Sequence, residues 1–364
     1  MFRGNKSILL TGATGLVGGA VLSRLASGGL GQVYCLVRRR PGRSLEERIA
    51  ERLGVRHEAI TGGATIVPLG GDVRSPELGL ESATLAVLQN KIETIVHCAA
   101  NTSFLASADS WRTNTEGTKN LLALASRMPN LRQFIYIGSA ASSISHADIE
   151  VNEDASAMEA THFVEYTRTK QAAEEALLSQ QSTYQKVIIR PSYVIPDELL
   201  TFGTIRQAIW PLSIMAQCGI LPIDPQARLD VIPLSVVADY ITRLVQTPPK
   251  SSLYYLSGGL KHSPMWRDVI DVVVQTLGGR SKVELVKPID WPRRQLEVSP
   301  RLARLLERVA MFFPFINRNV TFSSDRLFAE YGYPAPTSME MLRVLPGLLR
   351  QFSFEAAIEQ SLVG

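Results

Sequence analysis

Apolar residues in the first half of the chain fall in short continuous runs separated by stretches of helical period. The runs are Ile8–Leu10, Val33–Val37, Thr65–Leu69, Thr94–Val96, Phe134–Ile137 and Lys186–Ile189. Runs without apolar–polar alternation suit strands buried on both faces, as in a parallel sheet. Between them, Leu45–Leu53, Ala83–Gln89, Asn114–Ser126 and Tyr166–Leu178 carry helical spacing. This alternation predicts an α/β fold, a Rossmann-type doubly wound parallel sheet. From about Pro191 prolines become frequent and the alternation stops, apart from a late strand at Leu253–Leu256 and a helix at Trp266–Leu277. The expected division is residues 1–190 for nucleotide binding and catalysis. Residues 191–364 then form a smaller, mainly helical substrate-binding region, with the strand near 253–256 returning to the sheet.

Composition narrows the classes. The chain has 364 residues, 45% apolar and 20% charged, and a net charge of +4. That is ordinary for a soluble globular protein and gives no whole-chain argument for nucleic acid. The three cysteines, Cys35, Cys98 and Cys218, are too far apart in sequence to suggest a metal site, and they are expected reduced. No apolar signal core follows MFRGNKS, and the chain is expected in the cytoplasm. The longest apolar stretch, Ala208–Ile223, is too short to cross a membrane and contains Pro211, Gln217 and Pro222. It is expected to wall or cover an apolar pocket.

The first strand runs into Thr11, and glycines follow at 12, 15 and 18. Gly12 permits a tight turn, Gly15 lets backbone approach a pyrophosphate, and Gly18 lets the next helix pack against the strand. Thr11, Gly12, Thr14, Gly15, Leu16 and Val17 are therefore cofactor-binding candidates, with helix N–H groups facing phosphate. The second strand ends in Arg38–Arg39–Arg40, where NAD-binding chains usually carry an acid for the ribose hydroxyls. Guanidinium groups there suit a 2′-phosphate, so Arg38 and Arg39 favour NADPH.

Tyr166 and Lys170 stand four apart on a predicted helix, which puts them on one face. An ammonium beside a phenol lowers the phenol's pKa and suits it to proton transfer. Ser139, just past the fifth strand, can polarise a carbonyl oxygen. His97 reads as a histidine packed at a strand end. Pro300–Phe313 is an amphipathic helix with Leu302, Leu305, Leu306 and Val309 on one stripe and Arg301, Arg304 and Arg308 on another. A solvated basic face or a docking surface for an acidic carrier or coenzyme A phosphates both fit it.

TGATGLVGG, Tyr166-x-x-x-Lys170 and Ser139 together resemble the extended short-chain dehydrogenase/reductase family over roughly residues 6–195. CLVRR at 35–39, GDVRSPELGL at 71–80 and IETIVHCAANTSF at 92–104 resemble its branch of thioester reductase domains and fatty acyl-CoA reductases. The resemblance implies Ser139, Tyr166 and Lys170 as catalytic residues. It implies Asp72 and Val73 at the adenine; Ala99, Ala100 and Asn101 along the pyrophosphate and nicotinamide; Tyr166 and Lys170 among the cofactor contacts, with Lys170 at the nicotinamide ribose; and Arg190, Pro191 and Ser192 bordering the nicotinamide. The implied reaction is NADPH-dependent reduction of an acyl thioester, held by a separate carrier protein or by coenzyme A, to an aldehyde or alcohol. The second reading is a keto or hydroxyl oxidoreductase or epimerase acting on a lipid, polyketide or sugar nucleotide. The apolar 208–223 stretch argues against a nucleotide-sugar pocket. A non-catalytic NADP sensor has no need of all three catalytic side chains.

Overall fold

In a computed structural model, residues 6–29, 31–54, 65–104, 107–144, 150–153, 160–197, 211–212, 214–216, 218–276, 283–332, 342–343 and 346–347 are described. The chain divides into two units. Unit 1 comprises Met1–Ser143, Val164–Pro191 and Leu234–Tyr254; unit 2 comprises Ile144–Phe163, Ser192–Pro233 and Tyr255–Gly364.

The principal sheet contains β1 (Lys6–Thr11), β2 (Gly31–Val37), β3 (Thr65–Gly70), β4 (Thr94–His97), β5 (Gln133–Ile137), β6 (Gln185–Pro191) and β7 (Leu253–Leu256). Its order is β7-β6-β5-β4-β1-β2-β3, and the pairings from β6 to β3 are parallel. The reason is visible in burial: Ile8, Leu9, Leu10, Val33, Ile95, Val96, Phe134 and Ile135 are fully buried, as strands covered on both faces must be. The chain passes outward from β1 through β2 to β3 and returns to the other side of β1 as β4. This reversal makes a crevice at the carboxyl ends of β1 and β4, where doubly wound sheets hold ligands.

The helices of unit 1 include α1 (Leu16–Ser27), α2 (Leu45–Leu53), α3 (Ser82–Lys91), α4 (Gly117–Ala125), α5 (Glu165–Ser179) and α6 (Leu234–Gln246). Ser44 caps α2 through a reciprocal capping box with Glu47. An ion pair between Arg24 and Asp239 at 3.0 Å ties α1 to α6.

Unit 2 is assembled from short pieces. Parallel two-stranded pairs join Tyr193–Ile195 to Val231–Pro233, Ile220–Leu221 to Glu284–Leu285, and Glu150–Val151 to Thr321–Phe322. Helices α7 (Trp266–Thr276) and α8 (Pro300–Val309) close on a core of Val269, Ile270, Val273, Leu306, Val309 and Ile316. Leu212, Ile214, Met215, Cys218, Leu221 and Ile223 enter that core. The expected wall or lid at 208–223 is thus mostly core in its described part, while residues 208–210, 213 and 217 lie outside the described residues.

The division differs from a single break at 190/191. The pairing of Glu150–Val151 with Thr321–Phe322 draws residues 144–163 into unit 2, and α6 carries the chain back to unit 1. A sequence period cannot show a two-residue strand pairing at such separation. The expected late strand at 253–256 is β7, at the edge of the sheet next to β6.

Candidate active site

The glycine turn has the close contacts its spacing demands. Gly12 has φ +71°, and a Cβ there would lie 2.7 Å from the Ala99 amide nitrogen. A Cβ on Gly18 would lie 2.2 Å from the Gly12 carbonyl oxygen, so strand end and helix meet backbone to backbone. Gly15 is the N-cap of α1 and supplies no side-chain cap, and the first turn carries no acid. The N–H groups at that helix end are therefore left for an anionic ligand. Thr11 ties the turn to the neighbouring strand end: its Oγ accepts from the Ala99 amide (3.2 Å) and bonds His97 Nδ1 (2.6 Å). These features fit a dinucleotide whose pyrophosphate lies over the turn.

His97 is buried and its other nitrogen meets Thr118 Oγ at 3.0 Å. Burial, with the nearby Lys170 charge, pushes its pKa down to about 3, so it is a neutral bridge between Thr11 and Thr118. Asn114 lies in a π-helical stretch, Trp111–Glu116, of the kind often met at functional sites. Its amide clamps the backbone of Asn101 on both sides, accepting from the Asn101 N–H (2.7 Å) and donating to the Asn101 carbonyl (3.0 Å), and it also donates to Thr169 Oγ (2.9 Å). The Ala99–Asn101 segment is thereby held at the mouth of the crevice. Asn114 was legible only as part of a predicted helix.

The basic end of β2 contains more than Arg38 and Arg39. Arg48, on the buried face of α2, donates to the Arg38 carbonyl and reaches Thr14 Oγ at 3.4 Å. Burial, then the charges of Arg40 and Arg38, lower its pKa, against the opposing pull of Glu51. Arg39 packs its guanidinium against Gly70, where a Cβ would lie 2.6 Å away. Arg52 donates to the carbonyls of Gly15 (3.0 Å) and Leu16 (2.8 Å) and fills the space beside Gly19. Neither Arg48 nor Arg52 stood out in a charged helix. The signal that could have found them is that both fall on its apolar face, beside Ile49.

Just past β3, burial works against the Asp72 carboxylate, but hydrogen bonds and charge from Arg74 hold it below the usual range; Arg74 Nη2 lies 2.7 Å from Asp72 Oδ2. Val73 is buried against Gly117, and its carbonyl accepts from Asn120 at 2.9 Å. Pro191 ends β6, and the Ser192 amide donates to the Leu256 carbonyl at 2.8 Å.

The catalytic candidates meet in unit 1. Tyr166 occupies the first turn of α5, Lys170 the next, and Ser139 lies two residues beyond β5. Ser139 and Tyr166 share a hydrogen bond. The Phe104 ring stacks on Tyr166 with centroids 5.7 Å apart. Lys170 is buried, donates to the Ile137 carbonyl at 2.6 Å, and lies 4.6 Å over the Tyr136 ring. The expected depression of the phenol's pKa is not found: desolvation pushes Tyr166 up to about 12, against the Ser139 hydrogen bond. Burial in turn pulls Lys170 down to about 8. The ammonium is directed at the Ile137 carbonyl, and spacing alone could not show that.

A family model for NAD-binding proteins, described as Male sterility protein, matches residues 10–241. The chain belongs to that family. It falls in the thioester reductase and fatty acyl-CoA reductase branch of the extended short-chain dehydrogenases, as the motifs implied. Human fatty acyl-CoA reductase 2 is 25% identical over all of this chain and 84% of its own length. The mouse protein of that name is 27% identical over 73% of this chain and 60% of its own length. Among solved structures, the terminal R domain from the myxalamid PKS-NRPS pathway shares the fold with TM-score 0.76 and 22% identity, covering 96% of this chain and 92% of that one. A thiolation-reductase di-domain from an archaeal non-ribosomal peptide synthetase gives TM-score 0.76 at 20% identity, covering 96% and 76%. The family's cofactor is a nicotinamide dinucleotide.

Unit 2 holds a cleft of about 790 Å³, lined chiefly by apolar side chains including Phe163, Trp291, Leu306 and Phe313, with Arg318 and Asn317 among its polar groups. The Arg318 guanidinium stacks on the Phe163 ring at 5.2 Å. Along α8, Leu306 and Val309 are buried while Arg301 and Arg304 are exposed. The helix ends at Val309, short of the expected Phe313, and the chain continues in short turns. Among the described residues no helix is long and apolar enough to cross a membrane.

Proposed function

We propose that this chain is an NADPH-dependent reductase of acyl thioesters that yields an aldehyde and, by a second reduction, an alcohol, acting in trans in the cytoplasm. The observation that carries the reading is the convergence of Ser139, Tyr166 and Lys170 in the unit that also carries the glycine turn. When bound, the cofactor supplies a hydride. Ser139 and Tyr166 donate hydrogen bonds to the thioester carbonyl oxygen and stabilise the negative charge that gathers there. Collapse of the resulting hemithioacetal expels the thiol and leaves the aldehyde. Tyr166 is the proton donor in any further reduction, and Lys170 supplies positive charge beside it. Phe104, stacked on the phenol, limits its rotation and shields one face from water.

NADPH over NADH rests on the cation cluster of Arg38, Arg39 and Arg48 at the end of β2 and on α2. Thr11, Gly12, Thr14, Gly15, Leu16 and Val17 would hold the pyrophosphate, with Ala99, Ala100 and Asn101 opposite. Asp72 and Val73 would border the adenine, and Pro191 and Ser192 the nicotinamide. The acyl group would come on coenzyme A or on a separate carrier protein, and exposed Arg301 and Arg304 on α8 offer charge to either. The relatives named fatty acyl-CoA reductase favour a long acyl chain, and the apolar cleft of unit 2 suits one.

The test is the loss of NADPH absorbance with a panel of acyl-CoA and acyl-carrier thioesters, with products identified. Ketones and sugar nucleotides test the second reading. Tyr166→Phe is expected to lower kcat at least about a hundredfold while leaving NADPH affinity in place. Full turnover by that variant overturns the assignment.

A further inference from the structure

Behind Lys170 the protein buries an acid that hydride transfer does not require. Tyr166, Lys170 and Glu174 stand at successive four-residue steps on α5, so they follow one face of the helix. Glu174 is 2% exposed, and its Oε2 accepts two hydrogen bonds from Arg190, from Nε at 3.0 Å and Nη2 at 2.6 Å. Its other oxygen, Oε1, is buried and has no hydrogen-bond partner, as is the hydroxyl of Tyr136. Oε1 lies directly against Gly138, where a Cβ would be 2.2 Å away. The chain thus forgoes a side chain at the residue before Ser139 to admit a carboxylate oxygen that no donor satisfies. A buried ion pair with an unpaired oxygen is a poor device for stability, since an apolar pair of similar volume serves as well or better.

The charges around Lys170 show what such an oxygen can do. From the end of β4 come His97, held neutral, and Cys98, whose thiol is pushed up to about 12 by burial and so stays protonated. From β5 comes the Tyr136 ring, its hydroxyl protonated, and from β6 comes Arg190. Its own helix supplies Tyr166 and Glu174. Burial pushes the Glu174 carboxyl up, against Arg190 and Lys170, which hold the proton off. Because a guanidinium does not give up its proton, neutralising Glu174 would cost the buried Arg190 the charge-assisted character of both its bonds to Oε2, so the carboxylate persists. Among these groups it is the source of negative charge facing the ammonium.

We propose that Glu174 is a positioning residue for the Tyr166–Lys170 pair: its unpaired Oε1 keeps the buried Lys170 ammonium charged and aimed at the strand end, while Arg190 fixes the carboxylate in that attitude. Arg190 cannot do this itself, since its own charge repels Lys170. Gly138 is the space the arrangement needs.

The inference rests on the role given to Lys170 above, but its test does not use turnover. The cofactor-free full chain is labelled with carbon-13 at lysine Cε and titrated by NMR, the Lys170 signal being assigned by its loss in Lys170→Arg. Glu174→Gln is expected to lower the Lys170 midpoint by about one pH unit. Glu174→Asp, which keeps the charge but withdraws it by one methylene, lowers it by a smaller step. A midpoint unchanged from the wild type in both variants overturns the proposal. Should the glutamine variant fail to fold, the aspartate variant decides alone: a wild-type midpoint sinks the idea. A merely structural role would lower thermal stability in both variants without moving the midpoint. Failure of the thioester panel, by contrast, would leave this titration intact.

Discussion

Glu174 in unit 1 and Asp230 in unit 2 are both buried carboxylates, yet only Glu174 faces cations. Arg190 and Lys170 attend Glu174, whereas Asp230 is held by neutral donors: Ser257 Oγ at 2.5 Å, the Phe322 amide at 2.8 Å and the Gly258 amide at 3.2 Å. These donors come from the turn after β7 and from the strand at Thr321–Phe322, so Asp230 staples separate segments of unit 2. The difference follows from how each unit is built. Unit 1 has long strands whose ladders already fix its backbone, and its buried charge is available for chemistry. Unit 2 has two- and three-residue strands, and a buried acid there substitutes for missing sheet.

The same contrast appears in two glycines, and the first prediction sets them against each other. Gly18→Ala places a Cβ against backbone that cannot move, 2.2 Å from the Gly12 oxygen. It is expected to destabilise unit 1 by about 3–5 kcal/mol and to abolish cofactor binding, measured by denaturant unfolding and nucleotide fluorescence. Gly219→Ala in unit 2 meets open space and strains only a φ of +65°, so it should cost about 1 kcal/mol. Equal losses would break the comparison.

A second prediction concerns pH. Burial raises Asp230 from its ordinary 3.8 to about 6. The folded state therefore binds this proton more tightly than the unfolded chain. Its contribution is greatest below about pH 4 and is lost as pH rises through 6, by about 3 kcal/mol in all. Asp230→Asn cannot titrate, so the wild type's stability relative to that variant should fall from pH 4 to pH 7 by that order. A constant difference across the range would show that the acid is not protonated on folding.

What could be read in advance divides along the same line. The β1–β6 alternation, the glycine turn and the placing of Ser139, Tyr166 and Lys170 on strand end and helix face depend on local periods, and a sequence carries those openly. Arg48, Asn114 and Glu174 did not stand out, because each acts through a neighbour distant in sequence: Thr14, Asn101 and Arg190. The interleaving of the two units was also hidden, since it turns on Glu150–Val151 meeting Thr321–Phe322. In unit 2 the apolar run before Ile223 could be seen to be buried, but not that it faces a core. Periodicity tells which side is dry, and only packing tells what lies on it.

A third prediction sharpens the reading of unit 1. Arg48→Ala should weaken NADPH binding about tenfold and leave NADH binding nearly unchanged, as expected for loss of one charge-assisted contact to a 2′-phosphate. Because Arg48 also donates to the Arg38 carbonyl, Arg48→Lys is the useful companion. It keeps the charge but loses the fork, and should fall between the two. Parallel losses for both nucleotides would mean that Arg48 only shapes the loop.

The smallest effect is expected on α8. Arg301 and Arg304 are exposed, so their reversal to glutamate should leave folding within about 0.5 kcal/mol. Surface charges act on encounter more than on final affinity, and salt screens them. The double reversal should therefore raise KM for a carrier-bound or CoA thioester about three- to tenfold at low salt, with kcat unchanged and the difference shrinking as salt is added. Arg308 is half-buried with its own contacts, and changing it would mix docking with packing, so it is left in place. If KM does not move at low salt, the basic face of α8 is only the solvated side of a helix whose Leu306 and Val309 hold it to the unit 2 core.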